Sequence, residues 1–164
     1  MIRRPRRNRK SPALRMLTQE TRFVPSDLIV PLFVIEGNNV REPIPSMPGI
    51  HRFSIDCLLD EAKENYRDGI RAIVLFPVIP SSRKDARGVE ALRHGNLVQE
   101  AVRAIKKELP GICVMTDIAL DPYTDHGHDG LMGKGGEILN DDTLEILAEM
   151  ALVHAAAGVD VVAP

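Results

Sequence analysis

Four short apolar runs, separated by stretches with helical periodicity, constrain the fold of this chain more than any other feature. The runs are LIVPLFV, RAIVLFPV, ICVMTDIAL and VDVVAP, at residues 28–34, 71–78, 112–120 and 159–164. They are rich in β-branched side chains, which is typical of buried strands. Because helical stretches separate them, consecutive strands are expected to be parallel, with right-handed crossovers. The pattern therefore predicts an α/β protein.

Side chains that cap helices predict where the intervening helices begin. Ser54 is a predicted N-cap of the first helix. Asn96 with Gln99 resembles a capping box at the start of the second, and Asp142 with Glu145 forms another at the third. The core-facing side of the third helix is predicted to hold Leu144, Leu147, Ala148, Ala151 and Ala155.

Parallel strands of this kind fit either a doubly wound sheet or part of a (β/α)8 barrel. No GxGxxG follows the first strand, and GKGG at 133–136 lacks the GxxxxGK[ST] pattern, so it is predicted to be a tight turn without nucleotide-binding function. A complete barrel needs about 250 residues, and this 164-residue chain ends on a strand that no helix covers. We expect a basic N-terminal arm at residues 1–20 and the first half of a (β/α)8 barrel at residues 21–164.

Charge and composition exclude several classes of protein. The first ten residues hold six basic residues and no acid, although the whole chain carries a net charge of −2. Since the arm lacks aromatic residues and the rest of the chain is acidic, we expect it to pack on protein and not on nucleic acid. No run approaches the roughly 18 apolar residues of a membrane span. Cys57 and Cys113 are isolated, which predicts a cytoplasmic protein.

The stretch DIALDPYTDHGHDG at residues 117–130, the acidic loop, holds four aspartates at intervals of four. Pro122 and two glycines within it exclude a helix, so it is predicted to be a loop at the end of the third predicted strand. Catalytic groups of barrels lie at such strand ends. Two carboxylates about 4 Å apart repel by roughly 1 to 4 kcal/mol, so the cluster needs a cation, a basic partner or a shared proton. Alternatively, Asp121 and Asp125 are solvated and Asp117 caps a turn.

A second interpretation of the same loop is a metal-dependent hydrolase. His126 and His128, separated by one glycine and followed by Asp129, match the HxH pair that binds zinc in many hydrolases. The oxygen-rich surroundings favour magnesium over zinc.

Along nearly its whole length the chain resembles the porphobilinogen synthase family, also called delta-aminolevulinic acid dehydratase. The matching segments include LIVPLFVIEG, LFPVIP, TDIALDPYTDHGHDG, ILNDDT and HAAAGVDVVAP. Zinc-dependent relatives carry three metal-binding cysteines in the acidic loop, where this chain has Ala119, Asp121 and Asp129. It therefore resembles the aspartate-rich variant, which is associated with magnesium or potassium in place of catalytic zinc.

The resemblance implies a lyase of haem biosynthesis that condenses two molecules of 5-aminolevulinate to porphobilinogen. It implies Asp117, Asp121 and Asp129 as catalytic residues, with Asp117 holding a substrate amine or moving a proton, and Asp121 and Asp129 as metal ligands. It also implies a homo-octamer in which the arm wraps a neighbouring subunit. The two Schiff-base lysines are expected beyond Pro164, so that this chain alone is inactive. The segment SRKDARG (82–88) is expected either to border the active site or to be a solvated loop.

Overall fold

The computed structural model describes residue 3 and residues 5–164, so Met1, Ile2 and Arg4 of the predicted arm lie outside the described residues. Within that part of the chain, four α-helices and six strands follow one another. In chain order they are α1 (Pro12–Leu17), β1 (Ile29–Ile35), β2 (Arg41–Pro43), β3 (His51–Phe53), α2 (Ile55–Arg67), β4 (Ala72–Val78), α3 (Leu97–Glu108), β5 (Cys113–Asp117), α4 (Asn140–Ala157) and β6 (Val161–Ala163).

The strands β1, β4, β5 and β6 lie side by side, all parallel, in the order in which they occur in the sequence. A doubly wound sheet reverses its strand order at a switch point, whereas this consecutive order is typical of a (β/α)8 barrel. Helix α2 packs against α3, and α3 packs against α4, so the helices form a layer along one face of the sheet. The predicted α/β fold, with the architecture of part of a (β/α)8 barrel, is confirmed.

Alternation along the strands separates a core face from a second face. Leu75 in β4 and Thr116 in β5 are buried and belong to the side that packs against the helices. The next residue in each strand, Phe76 and Asp117, is half-buried on the opposite face, which in a closed barrel is the interior. Phe33 of β1 is in register with Phe76, and their ring centroids are 5.6 Å apart.

The core lies between the sheet and helices α2 and α3, and it includes several buried polar side chains. Asn96 caps α3 by accepting a hydrogen bond from the backbone N–H of Gln99 at 3.1 Å, as predicted. His154 of α4 is buried, with its Nδ1 2.9 Å from the hydroxyl oxygen of Thr116. Burial lowers the pKa of His154 to about 4, so the imidazole is neutral at pH 7.

The local predictions were right for the main elements and wrong in four details. The third predicted strand ends at Asp117 and not at residue 120, and the short strands β2 and β3 were missed in the Pro- and Gly-rich segment. Ser54 occupies the N-cap of α2, but its hydroxyl accepts a hydrogen bond from the backbone N–H of Val40 at 2.9 Å and not from the helix. Helix α4 begins at Asn140, before the predicted capping box.

The exposed side of α4 also differs from the prediction. Leu144, Ala148 and Ala155 are exposed, while Leu147 and Ala151 pack against the core as expected. The fully buried residues of α4 are Thr143, Met150, His154 and Ala157. The predicted tight turn at GKGG is present, and in it Gly136 N–H donates to the carbonyl of Gly133. No helix in the described part of the chain is both long enough and apolar enough to cross a membrane.

Candidate active site

The acidic loop begins where β5 ends, on the edge of the sheet that carries the carboxyl ends of the parallel strands. Asp117 is the last residue of β5. After it, Ile118 N–H donates to the carbonyl of Ala163 at the end of β6, and the chain then turns at Leu120, whose carbonyl accepts from two backbone N–H groups. The loop therefore lies over the carboxyl edge, where active sites of (β/α)8 barrels are found.

One hydrogen bond closes the acidic loop on itself. The carboxylate of Asp129 accepts from the backbone N–H of Leu120 at 2.5 Å, and the Thr124 hydroxyl donates to the carbonyl of His128 at 2.9 Å. The loop also needs a glycine at position 130, because a Cβ there would come within 2.8 Å of the Ile138 side chain. These contacts bring the second half of the loop back to the first, and so bring Asp129 next to Asp121.

Three of the four aspartates form one electrostatic group. The pKa of Asp117 is raised by partial burial first, and then by the negative charges of Asp121 and Asp129. The pKa of Asp121 is also raised by burial and by Asp129, against a smaller lowering by the positive charge of Lys84. Asp125 is not among the charges that act on either of these two carboxyl groups. The sequence prediction had singled out this same trio.

Asp117 and Asp121 line an open pocket of about 480 Å³, here called the mouth pocket. Its floor is aromatic and aliphatic, and its charged lining residues are Arg52, Lys84, Asp117 and Asp121. The side chain of Arg52 is paired with Glu42 at 2.5 Å. Such a mixture of apolar walls and a few convergent polar groups is characteristic of small-molecule sites.

A second loop borders the mouth pocket. It joins β4 to α3, spans residues 79–96 and is called the β4–α3 loop. Asp85 forms a parallel bridge with Thr124 of the acidic loop: its N–H donates to the carbonyl of Tyr123 at 3.3 Å, and its carbonyl accepts from Asp125 N–H at 3.2 Å. The segment 82–88 thus borders the site. The structure supports this expectation over the alternative of a solvated loop.

Three charged side chains of the β4–α3 loop, Arg83, Glu90 and Arg93, form ion pairs. Glu90 is buried and accepts two hydrogen bonds at 2.8 Å from the guanidinium of Arg93, which hold its pKa below the usual range. Arg83 lies 3.5 Å from Glu90 and 2.5 Å from Glu36, the residue that follows β1. This network ties the β4–α3 loop to the end of β1.

The two histidines do not join the aspartates. His128 N–H donates to Nδ1 of His126 at 3.2 Å, and the two rings stack with their centroids 5.7 Å apart. Among residue 3 and residues 5–164, no three histidine, cysteine or acidic side chains converge as metal ligands would. The predicted hydrolase site of His126, His128 and Asp129 is therefore not supported.

Two features of the site were not anticipated from the sequence. Tyr123 is fully buried beneath the acidic loop, which raises the pKa of its hydroxyl well above the usual range, and that hydroxyl has no partner among the described residues. Lys84 faces the acids, although sequence reasoning had considered the lysines only as Schiff-base candidates. Its position follows from a strand-like bridge between two loops, which no local pattern predicts.

Comparisons with known proteins agree with this geometry. A family model described as delta-aminolevulinic acid dehydratase matches residues 2–164. The chain is 49% identical over 164 residues to the delta-aminolevulinic acid dehydratase of Chlamydia pneumoniae, and 52% identical over 161 residues to that of Bradyrhizobium diazoefficiens. These matches cover 100% and 98% of this chain but 49% and 45% of the two relatives. The chain therefore spans about half the length of these relatives.

A solved structure gives the same result in three dimensions. The crystal structure of delta-aminolevulinic acid dehydratase (porphobilinogen synthase) from Toxoplasma gondii ME49, in complex with the reaction product porphobilinogen, superimposes with a TM-score of 0.94 at 42% identity. The match covers 99% of this chain and 46% of that chain.

Proposed function

Because this chain belongs to the delta-aminolevulinic acid dehydratase family, we propose that the complete protein containing it condenses two molecules of 5-aminolevulinate to porphobilinogen. The observation that carries the proposal is the mouth pocket: the acidic loop, with the family's Asp117, lies at the carboxyl end of β5 in a fold that superimposes on a porphobilinogen-bound relative. The chemistry also requires two Schiff-base lysines. We place both outside residues 1–164, because no lysine in this range matches a Schiff-base position.

Asp117 is proposed as the group that receives the substrate amine or moves a proton beside it. Its carboxylate accepts no hydrogen bond from the described side chains, and its raised pKa favours retention of a proton nearer to neutrality than for an ordinary aspartate. A carboxyl group of this kind can accept a hydrogen bond from an ammonium when ionised and return a proton when neutral. Asp121 and Asp129 are proposed to share this catalytic role by orienting the same amine.

For the metal, we propose magnesium or potassium at Asp121 and Asp129 in place of catalytic zinc. Carboxylate oxygens are hard donors, which suit these ions, and the residues at the cysteine positions of zinc-dependent relatives provide no thiolate. Two carboxylates leave most of a coordination shell to water, so weak binding is expected. When bound, the ion would compensate the negative charge of the acidic loop.

The oligomeric state is proposed from the arm. Met16 and Leu17 have exposed fractions of 69% and 78%, and such apolar surface favours burial against another subunit. A homo-octamer with the arm on a neighbouring subunit fits this, and neither nucleic acid nor a membrane is proposed as a partner. The free thiols of Cys57 and Cys113 support a cytoplasmic location, although barley and rice relatives are named as chloroplastic.

The direct test supplies 5-aminolevulinate to the purified complete protein and to the purified 164-residue chain, and measures porphobilinogen. We expect product from the complete protein and none from the chain alone. Product from the chain alone would show that the reactive amines lie within residues 1–164, and the absence of product from the folded complete protein would refute the proposed activity.

A further inference from the structure

The β4–α3 loop, which carries Lys84, is fixed by contacts on both sides of this residue. On one side, Glu90 and the guanidinium of Arg93 anchor the β4–α3 loop at the start of α3. On the other, Asp85, the next residue after Lys84, exchanges two backbone hydrogen bonds with the acidic loop. Lys84 therefore lies between two fixed points, and its own N–H donates to the carbonyl of Ser81 at 3.2 Å.

The Lys84 side chain lines the mouth pocket together with Asp117 and Asp121. It is half-buried, and its ammonium has no carboxylate within 4 Å and no hydrogen-bond partner among the described residues. Its charge nevertheless acts on Asp121. The other cation of the pocket, Arg52, is engaged by Glu42. Lys84 is thus the pocket's one ammonium not already committed to an ion pair within the described part of the chain.

Charge balance indicates what such a lysine does. Two carboxylates, Asp117 and Asp121, line the pocket, and the negative charges of Asp121 and Asp129 make Asp117 harder to ionise. A positive charge held at a fixed distance offsets part of this repulsion without occupying the space between the carboxylates. It also repels any cation that enters the same space.

We propose that Lys84 is a positioning residue that acts as the built-in counter-charge of the acidic loop and weakens cation binding at Asp121 and Asp129. This inference deepens the proposed function, because it concerns the same pocket and the same proposed metal ligands. Lys84, together with the carboxylates of Asp121 and Asp129, would then set how tightly the site binds an added cation.

The test measures binding of Mn²⁺, a paramagnetic probe for a hard divalent cation, to the complete protein without 5-aminolevulinate by electron paramagnetic resonance. K84M removes the charge, K84R retains it, and K107M removes an exposed lysine at the far end of α3. One unit charge facing a divalent ion at several ångströms through a water-rich medium is worth about a tenfold change in affinity. We therefore expect Mn²⁺ to bind about tenfold more tightly to K84M, and to bind K84R and K107M as it binds the wild type.

The double variant K84M/D121N identifies where the additional affinity arises. The gain must disappear when the Asp121 carboxylate is removed, because the proposed repulsion acts on a cation held by that carboxylate. Unchanged affinity in K84M, or a gain that persists in K84M/D121N, overturns the inference. K84Q repeats the comparison if K84M does not fold. Because no substrate is used, this result is independent of whether the protein makes porphobilinogen.

Discussion

The two loops that meet above the sheet both carry charged side chains, but they use them in opposite ways. In the β4–α3 loop, Glu90 and Arg93 satisfy each other at 2.8 Å, and Arg83 joins them to Glu36. In the acidic loop, Asp117 and Asp121 line the mouth pocket. Neither carboxylate forms an ion pair with a basic side chain among the described residues. Paired charges stabilise a loop, whereas unpaired carboxylates that raise each other's pKa cost stability and are typical of functional sites.

The largest effect is expected from Asp117→Asn in the complete protein. The amide keeps the shape of the side chain but neither accepts a proton nor attracts an ammonium, so porphobilinogen formation should fall at least about a hundredfold. The matched control is Asp125→Asn in the same loop, whose exposed carboxylate lies outside the acidic group. Similar rates for wild type and Asp117→Asn would show that the unpaired carboxylate of Asp117 has no role in catalysis.

The pH dependence of stability should report the buried His154, whose Nδ1 contacts the Thr116 hydroxyl on the core face of β5. His154 titrates near 6.5 when unfolded and near 4 when folded, so the unfolded state binds more protons between these values. Stability should therefore decline as the pH falls from about 6.5 to 4, by about 3 kcal/mol in total from this group. Thermal unfolding of the complete protein should show this decline, and it should be much smaller in His154→Gln. Equal declines in the two proteins would contradict the assignment.

The β4–α3 loop should respond to Glu90→Gln with a loss of stability. Removing the charge of the buried Glu90 carboxylate weakens its two hydrogen bonds with the exposed guanidinium of Arg93, at a cost of about 1 kcal/mol. Glu108→Gln breaks the exposed pair with Lys63 at 3.0 Å and serves as the control, with no measurable change expected. Equilibrium unfolding compares them, and an equally small effect of Glu90→Gln would show that its network is not structural.

The smallest effect is expected from Asp121→Asn on stability. Loss of one negative charge relieves repulsion with Asp117 and Asp129, and after solvent screening this should raise stability by a few tenths of a kcal/mol. A clear loss of stability in the same unfolding experiment would mean that Asp121 makes a stabilising contact, as the charges of the β4–α3 loop do.

Sequence reasoning located the acidic group because its main determinant is local. The apolar run at residues 112–120 placed Asp117 near the end of a strand, and Pro122 excluded a helix, so a loop was expected there. The closure of the loop by Asp129 and Leu120 follows no regular spacing, and the bridge from Asp85 to Thr124 joins residues of two different loops, so neither leaves a periodic signal.

The errors in the predicted secondary structure also arise where contacts between separate segments, and not local sequence, determine the structure. Strands β2 and β3 are three residues each and exist through their pairing with each other and with β1. The predicted start of α4 was wrong because Thr143 lies inside the helix, where its hydroxyl donates to the carbonyl of Leu139 and accepts from the N–H of Leu131. Tertiary contacts decided these features where local preference did not.

The most direct measurement is a crystal structure of the complete protein with bound porphobilinogen. The account predicts the amino group of the product within about 3 Å of the Asp117 carboxylate, with Glu90 still bound to Arg93 and away from the ligand. A structure in which Asp117 is instead neutralised by a permanent ion pair with a residue outside this chain, and the product lies elsewhere, would contradict it.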